Sequence, residues 1–159
     1  MKLEVHKAAT AFLLNWDKKI QKWRILLTDH KKIKKLIPIG GHVEKNETTD
    51  RAVIREVREE VGCDVDLFWS SERKEWAKKP SLFSIQIEKI PSFKETSEHF
   101  HEDYMYAGYL SETSFSKIKS GKRSRLYWTY IGDILAHPKK YNIFPEMLKT
   151  LQKFNILSP

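Results

Sequence analysis

The segment between Gly41 and Cys63 constrains this chain most, because its charged and apolar residues are spaced for one helix. At about 100° per residue, Glu56, Glu59 and Glu60 project within an arc of roughly 100°. A neighbouring arc of similar width is apolar and contains Val53, Ile54, Val57 and Val61. One side of the helix can therefore pack on a core while the other side gathers acids.

Three carboxylates on adjacent turns of one helix repel one another unless a cation lies among them. Hard divalent cations prefer oxygen ligands and suit such a cluster. The sequence therefore predicts Mg²⁺, or alternatively Mn²⁺, as the cofactor.

This segment resembles the Nudix box, a pattern that reads glycine, five residues, glutamate, seven residues, then R-E-hydrophobic-x-E-E-x-G-hydrophobic. The residues that match are Gly41, Glu47, Arg55, Glu56, Val57, Glu59, Glu60 and Gly62. Cys63 stands where an aliphatic residue is usual, and we interpret it as a small apolar core residue. The resemblance implies an α/β class protein with the Nudix fold, an α/β/α sandwich around a mixed β-sheet, as a single domain over residues 1–159.

The resemblance also implies an activity, the metal-dependent hydrolysis of a pyrophosphate bond in a nucleoside diphosphate linked to another group. By motif position, Glu56, Glu59 and Glu60 would be metal ligands, and the carbonyl of Gly40 a further one. Glu56 is our first choice for the general base, with Glu60 as the alternative. The substrate would be a small-molecule nucleotide.

A supporting role is expected for Glu47 and Arg55 in the catalytic machinery. On the helical wheel Arg55 can reach back toward Glu47 at the helix entrance. Such an arginine–carboxylate fork would orient the loop. We favour this role over direct participation in the chemistry.

The segment from His99 to Tyr106 is the second informative patch. In a strand, His99, His101 and Asp103 share one face, while Glu102 and Tyr104 share the other. The first face could be a transition-metal site, but we favour polar residues lining a pocket or surface because the helix already explains a metal. On the second face, Glu102 is a candidate metal ligand outside the box and Tyr104 a candidate for binding the substrate. Asp103 and Glu112 are the alternatives to Glu102.

The net charge of +8 favours anionic partners. Basic residues cluster between Lys117 and Arg125, and we predict that Lys122, Arg123 and Arg125 contact substrate phosphates. That cluster also keeps a second function open, removal of a 5′ cap or pyrophosphate from RNA, although nucleic acid is not the favoured partner. A catalytically silent nucleotide-binding module is the third hypothesis, disfavoured because every acidic position of the box is intact.

Composition sets broader limits. With 159 residues, 40% of them hydrophobic and 31% charged, the chain suits one soluble domain. It has no apolar run long enough to span a membrane and no secretory signal, so we expect a cytoplasmic protein without a membrane partner. Its one cysteine excludes an intramolecular disulfide. The oligomeric state is open between a monomer and a homodimer.

Alternation and turn residues predict the order of elements. Strands are expected at residues 7–14, 23–28, 36–39, 65–69, 82–90, 99–110 and 127–131. Gly40–Gly41 is expected to form a flexible turn. Helices are expected from Thr48 or Thr49 to Gly62, over Gly132–Ala136, and from Pro145 to about Phe154.

Overall fold

The architecture was analysed in a computed structural model, which describes residues 4–30, 34–62, 67–68, 80–92, 94, 97–118 and 126–157. The strands are β1 (Val5–Asp17), β2 (Lys22–His30), β3 (Lys35–Ile37), β4 (Ile39–His42), β5 (Leu67–Phe68), β6 (Leu82–Ile90), β7 (His99–Leu110) and β8 (Leu126–Tyr130). The helices are α1 (Thr49–Val61), α2 (Glu112–Lys117), α3 (Ile131–Ala136), α4 (Pro138–Tyr141) and α5 (Pro145–Asn155).

Strand β1 lies at the centre of a mixed sheet. One edge of it pairs in parallel with β7, from Val5 beside Phe100 to Leu14 beside Tyr109. Its other edge is shared by two antiparallel partners, β4 along its first half and β2 along its second half. Strand β7 in turn pairs with β6 and β5, and β2 pairs with β3 and β8.

Alternating side chains of the central strands build one core on each face of the sheet. On the α1 face, Ala9, Ala11 and Leu13 of β1 pack with the buried side of α1. On the opposite face, Phe12 and Leu14 pack with α3 and α5. Helices therefore cover both faces of the mixed sheet, which confirms the predicted α/β/α sandwich.

Helix α1 begins and ends where the sequence indicates. Thr48 is the N-cap residue, and Gly62 follows the helix with a φ of 70°, a left-handed conformation that glycine adopts without strain. The buried residues of the helix are Ala52, Val53, Val57 and Val61, so the predicted apolar arc faces the core. No helix in the described part of the chain is long and apolar enough to cross a membrane.

Two expectations about the segment before α1 were wrong. The strand predicted at residues 36–39 is divided between β3 and β4, with Pro38 between them. Proline has no N–H group to donate to a ladder, so it interrupts the pairing. Gly40 and Gly41 lie inside β4 and pair with Thr10 and Ala9 of β1, rather than forming a turn.

The short helices α2 and α4 were not predicted. Ser111 caps α2 by accepting a hydrogen bond from the Ser114 N–H, 3.1 Å away. Pro138 occupies the first turn of α4, which ends at Asn142 with a φ of 48°. Both helices are too short to show a helical period in the sequence, so capping residues are their main signals.

Candidate active site

Glycines of β4 allow the sheet backbone to approach both β1 and α1. A Cβ atom on Gly40 would lie 2.5 Å from the Ala9 carbonyl oxygen and 2.9 Å from Cα of Thr10. A Cβ atom on Gly41 would lie 2.6 Å from Cδ of Glu56. These positions therefore need glycine for close packing, since neither backbone is in the left-handed region.

Arg55 joins the helix to the loop that precedes it. Its Nε and Nη2 donate to the two carboxylate oxygens of Glu47, at 3.0 and 2.9 Å, forming the fork that the helical wheel suggested. Nη2 also donates to the His42 carbonyl oxygen at 3.0 Å. The hydrogen bonds from Arg55 hold the pKa of Glu47 below its usual range and raise the pKa of Arg55 itself.

The same guanidinium reaches the acidic side of α1. Nη1 of Arg55 donates to Oε1 of Glu56 at 2.7 Å and lies 3.6 Å from Oε2 of Glu59. One arginine thus orders the loop, through Glu47, and a carboxylate of the proposed metal site, through Glu56. Arg55 makes this contact from within the protein, because its side chain is only 23% exposed.

Three carboxylates of α1 form one electrostatic cluster beside Gly40. Burial, with smaller contributions from the charges of Glu56 and Glu59, raises the pKa of Glu60 to about 7, although a hydrogen bond with the Gly40 backbone acts in the opposite direction. Such mutual repulsion among oxygen donors fits a divalent cation of the magnesium type. The donor set of the cluster therefore suits the predicted cofactor.

The sides of β1 and β7 that face α1 carry further charged and aromatic side chains. Lys7 and Glu102 are register partners on neighbouring strands and point to this face. The ammonium group of Lys7 lies 5.8 Å from the centre of the Tyr104 ring. Farther along β7, the Tyr106 hydroxyl is 2.7 Å from Oγ1 of Thr49, where α1 begins. A cation, an acid and an aromatic ring are thus available beside the helix.

The alternatives to Glu102 lie elsewhere. Asp103 is buried on the opposite face and accepts a hydrogen bond from the Thr10 hydroxyl at 2.8 Å. Glu112 begins α2, and its Oε1 lies 3.2 Å from Nη2 of Arg24. Strand geometry therefore leaves Glu102 as the acid of this group that shares a face with α1. The predicted substrate contacts Lys122, Arg123 and Arg125, like Cys63, lie outside the described residues.

Sequence reasoning did not single out Lys7 or His42 for this site. Lys7 was interpreted only as the start of a strand, although its spacing from Ala9 and Ala11 places it on the α1 face. His42 contributes its backbone carbonyl to Arg55, and a carbonyl contact leaves no trace in the sequence. Only the pairing of β4 with β1 shows why that carbonyl lies at the fork.

The sequence profile of the NUDIX domain family matches residues 4–125. The chain belongs to this family. The match includes the Gly40–Gly41 strand, the α1 carboxylates and β7. No curated protein matches the chain by sequence.

Several solved structures share the Nudix fold along nearly the full chain. An Ap4A hydrolase from C. elegans is 20% identical, with a TM-score of 0.61, and the alignment covers 95% of this chain and 96% of that one. A NUDIX family hydrolase from Clostridium perfringens is 26% identical, with a TM-score of 0.55 and the same coverages of 95% and 96%. A MutT protein from Methanosarcina mazei is 17% identical, with a TM-score of 0.61 and coverages of 97% and 95%.

Proposed function

We propose that this Nudix chain hydrolyses a pyrophosphate bond in a nucleoside diphosphate linked to another group, with Mg²⁺ or Mn²⁺ as cofactor. Nucleoside triphosphates, nucleotide sugars and dinucleoside polyphosphates belong to this substrate class. The observation that carries the proposal is the carboxylate cluster of α1, which packs against the Gly40–Gly41 backbone and is fixed by Arg55.

In this proposal Glu56, Glu59 and Glu60 hold the cation, together with the carbonyl of Gly40 and, from β7, Glu102. When bound, the cation would neutralise phosphate charge and would make water nucleophilic near neutral pH. Water attacks phosphorus, the bridging P–O bond breaks, and the phosphate leaving group takes the bond's electrons. Glu56 accepts the proton of the attacking water as general base, with Glu60 as the alternative.

Arg55 acts as a positioning residue. Its hydrogen bonds to Glu47 and to the His42 carbonyl fix the loop, and its hydrogen bond to Glu56 fixes the proposed base. Preorganised charges of this kind lower a reaction barrier because they need not reorient during the reaction. Loss of Arg55 should therefore reduce the turnover number more than it weakens substrate binding.

Substrate recognition is proposed for the surface beside Lys7 and Tyr104. The ammonium group of Lys7 suits a phosphate oxygen, and the ring of Tyr104 offers a stacking surface for a base. Ile85 and Ile87 of β6 are register partners of Tyr104 and Glu102, and they are 48% and 63% exposed. Their exposed apolar surface could extend the contact with an uncharged part of the substrate.

A panel of substrates tests the proposal directly. Nucleoside triphosphates, ADP-ribose, diadenosine polyphosphates and 5′-triphosphate RNA would be incubated with the chain and Mg²⁺ or Mn²⁺, and the phosphate-containing products identified by chromatography. We expect metal-dependent cleavage of at least one small nucleotide. The absence of cleavage throughout the panel with either ion would refute the proposed reaction, and selective cleavage of the RNA would favour the 5′-end alternative.

Variants of α1 separate the site from a contaminating activity. Glu59→Gln or Glu60→Gln should lower turnover at least about 100-fold at saturating Mg²⁺, because each removes a proposed ligand with little change in shape. Glu98→Gln is the matched control, since the exposed Glu98 lies just before β7 and pairs with Lys89 at the surface. Parental turnover in the Glu59 and Glu60 variants would contradict the metal assignment.

A further inference from the structure

Four histidines converge on the sheet face opposite α1. They form the histidine cluster, which consists of His6 of β1, His42 of β4, and His99 and His101 of β7. One candidate ligand atom from each residue lies within 4.8 Å of those from the other three. The cluster joins the ends of three strands, since His6 is the register partner of His101 and His42 is the partner of Ala8.

The nitrogen spacing resembles that around a metal. Nε2 of His101 lies 3.1 Å from Nε2 of His42 and 3.1 Å from Nε2 of His99. Two nitrogens in a tetrahedral zinc site are about 3.4 Å apart, because each Zn–N bond is about 2.0–2.1 Å long. Little movement would therefore be needed to place an ion among the rings.

Hydrogen bonds between neutral histidine rings satisfy these ring nitrogens poorly. Nδ1 of His99 lies 2.8 Å from the Ser97 carbonyl oxygen, which can only accept a hydrogen bond. The neutral His99 ring therefore presents the lone pair of Nε2 to His101. For neutral rings, Nε2 of His101 must carry a proton to satisfy His99 and cannot then also accept one from His42. A metal ion bound by the lone pairs removes this conflict.

We propose that the histidine cluster binds one transition-metal ion, with Zn²⁺ as the expected occupant, at a site separate from the α1 carboxylates. Imidazole nitrogens suit Zn²⁺, Ni²⁺ and Cu²⁺, whereas Mg²⁺ prefers oxygen. The two predicted chemistries of the chain thus use different donor atoms on opposite faces of one sheet.

The surroundings support a bound cation. Ser97 and Glu4 contact the rings from outside, with Oε1 of Glu4 2.9 Å from Nε2 of His6. Carbonyl and carboxylate groups commonly orient metal-binding histidines in this way.

An ion in the histidine cluster would stabilise the strand that leads into the candidate active site. The side chain of His42 belongs to the cluster, while its carbonyl oxygen accepts the hydrogen bond from Arg55. The ion would tie β4 to β1 and β7 without contacting the substrate. Its expected role is therefore structural, and its removal should destabilise the fold.

Binding is measured on the full chain without a histidine tag, first freed of metal by a chelator. Titration calorimetry with Zn²⁺ should show one tight site per chain, and Co²⁺ should give the visible absorption of a tetrahedral nitrogen site. His101→Gln should weaken the Zn²⁺ affinity at least about 100-fold, because Nε2 of His101 lies at the centre of the cluster. His137→Gln is the matched control, since His137 is exposed between α3 and α4.

Two further variants make the test decisive. His6→Gln, at the edge of the cluster, should also weaken Zn²⁺ binding, and it replaces His101→Gln if that chain does not fold. A Glu59→Gln, Glu60→Gln double variant should keep the tight Zn²⁺ site. The proposal is overturned if the parent binds no Zn²⁺ tightly, if a folded histidine variant binds it as the parent does, or if only the glutamate variant loses it.

Discussion

The backbone of Gly41 touches the carboxylate of Glu56, since a Cβ atom on Gly41 would lie 2.6 Å from Cδ and 2.9 Å from Oε2. Gly41→Ala should therefore displace the proposed base and lower kcat at least about 10-fold, with a smaller effect on the melting temperature. Gly132→Ala is the control, because the nearest atom to its added methyl group is Oδ1 of Asn155, 4.0 Å away. Similar losses of kcat in both variants would refute the packing argument.

The pair formed by Arg55 and Glu47 should behave as one unit. Their side chains are 23% and 14% exposed, so solvent screens their attraction less than that of a surface pair. In a double-mutant cycle of kcat with Arg55→Ala and Glu47→Gln, we expect a coupling of about 1 kcal/mol or more. Arg51→Ala, an exposed change on the same helix, should leave kcat near the parental value.

Fully additive effects of the Arg55 and Glu47 variants would show that the fork seen in the structure does not matter for turnover. A raised KM with an unchanged kcat would contradict the positioning role in a different way. It would indicate that Arg55 contacts the substrate's phosphates directly.

The basic stretch supports a prediction from sequence alone. Neutralising Lys122, Arg123 and Arg125 together should raise KM and flatten its dependence on salt, with a smaller effect on kcat. The control neutralises the same number of charges at exposed positions elsewhere, namely Lys18, Lys19 and Lys149. Equal changes of KM in the two triple variants would attribute the effect to net charge rather than to this stretch of the sequence.

Glu88 should make stability depend on pH. Burial, with smaller contributions from the charges of Asp103 and Glu146, raises its pKa from the usual 4.5 to about 7. Between pH 4.5 and about 7, the folded chain therefore binds more protons than the unfolded chain. The contribution of Glu88 to stability falls as pH rises through this range. Glu88→Gln should remove roughly 1 kcal/mol of that fall in metal-free denaturant titrations. An unchanged pH profile would contradict the raised pKa.

Most of the fold follows from local signals in the sequence. Strand β6 has the predicted bounds of residues 82–90, and β7 has the predicted bounds of residues 99–110, because alternation and flanking turn residues mark them clearly. Helix α1 was predicted equally well, because its apolar arc and Gly62 mark it in the sequence. The division at Pro38 was missed because the apolar residues around it read as one short strand.

The candidate site was predictable where its residues lie on one element. The glutamates of α1 share a helix face, so their spacing alone brings them together. Only half of the histidine cluster could be predicted from the sequence. His99 and His101 alternate along β7, whereas His6 and His42 come from other strands that are distant in the chain. Which strands become neighbours is decided by sheet topology, and a single sequence carries little direct information about it.

The parallel pairing of β1 with β7 has a consequence for synthesis. Thr10 and Asp103 are hydrogen-bonded although 93 positions separate them in the chain. On the ribosome, β1 cannot gain this neighbour until 93 further residues have followed Thr10. Contacts of such long range slow folding, and an unpaired strand edge can meanwhile pair with another nascent chain. Until β7 emerges, one edge of β1 therefore stays open to pairing with another chain.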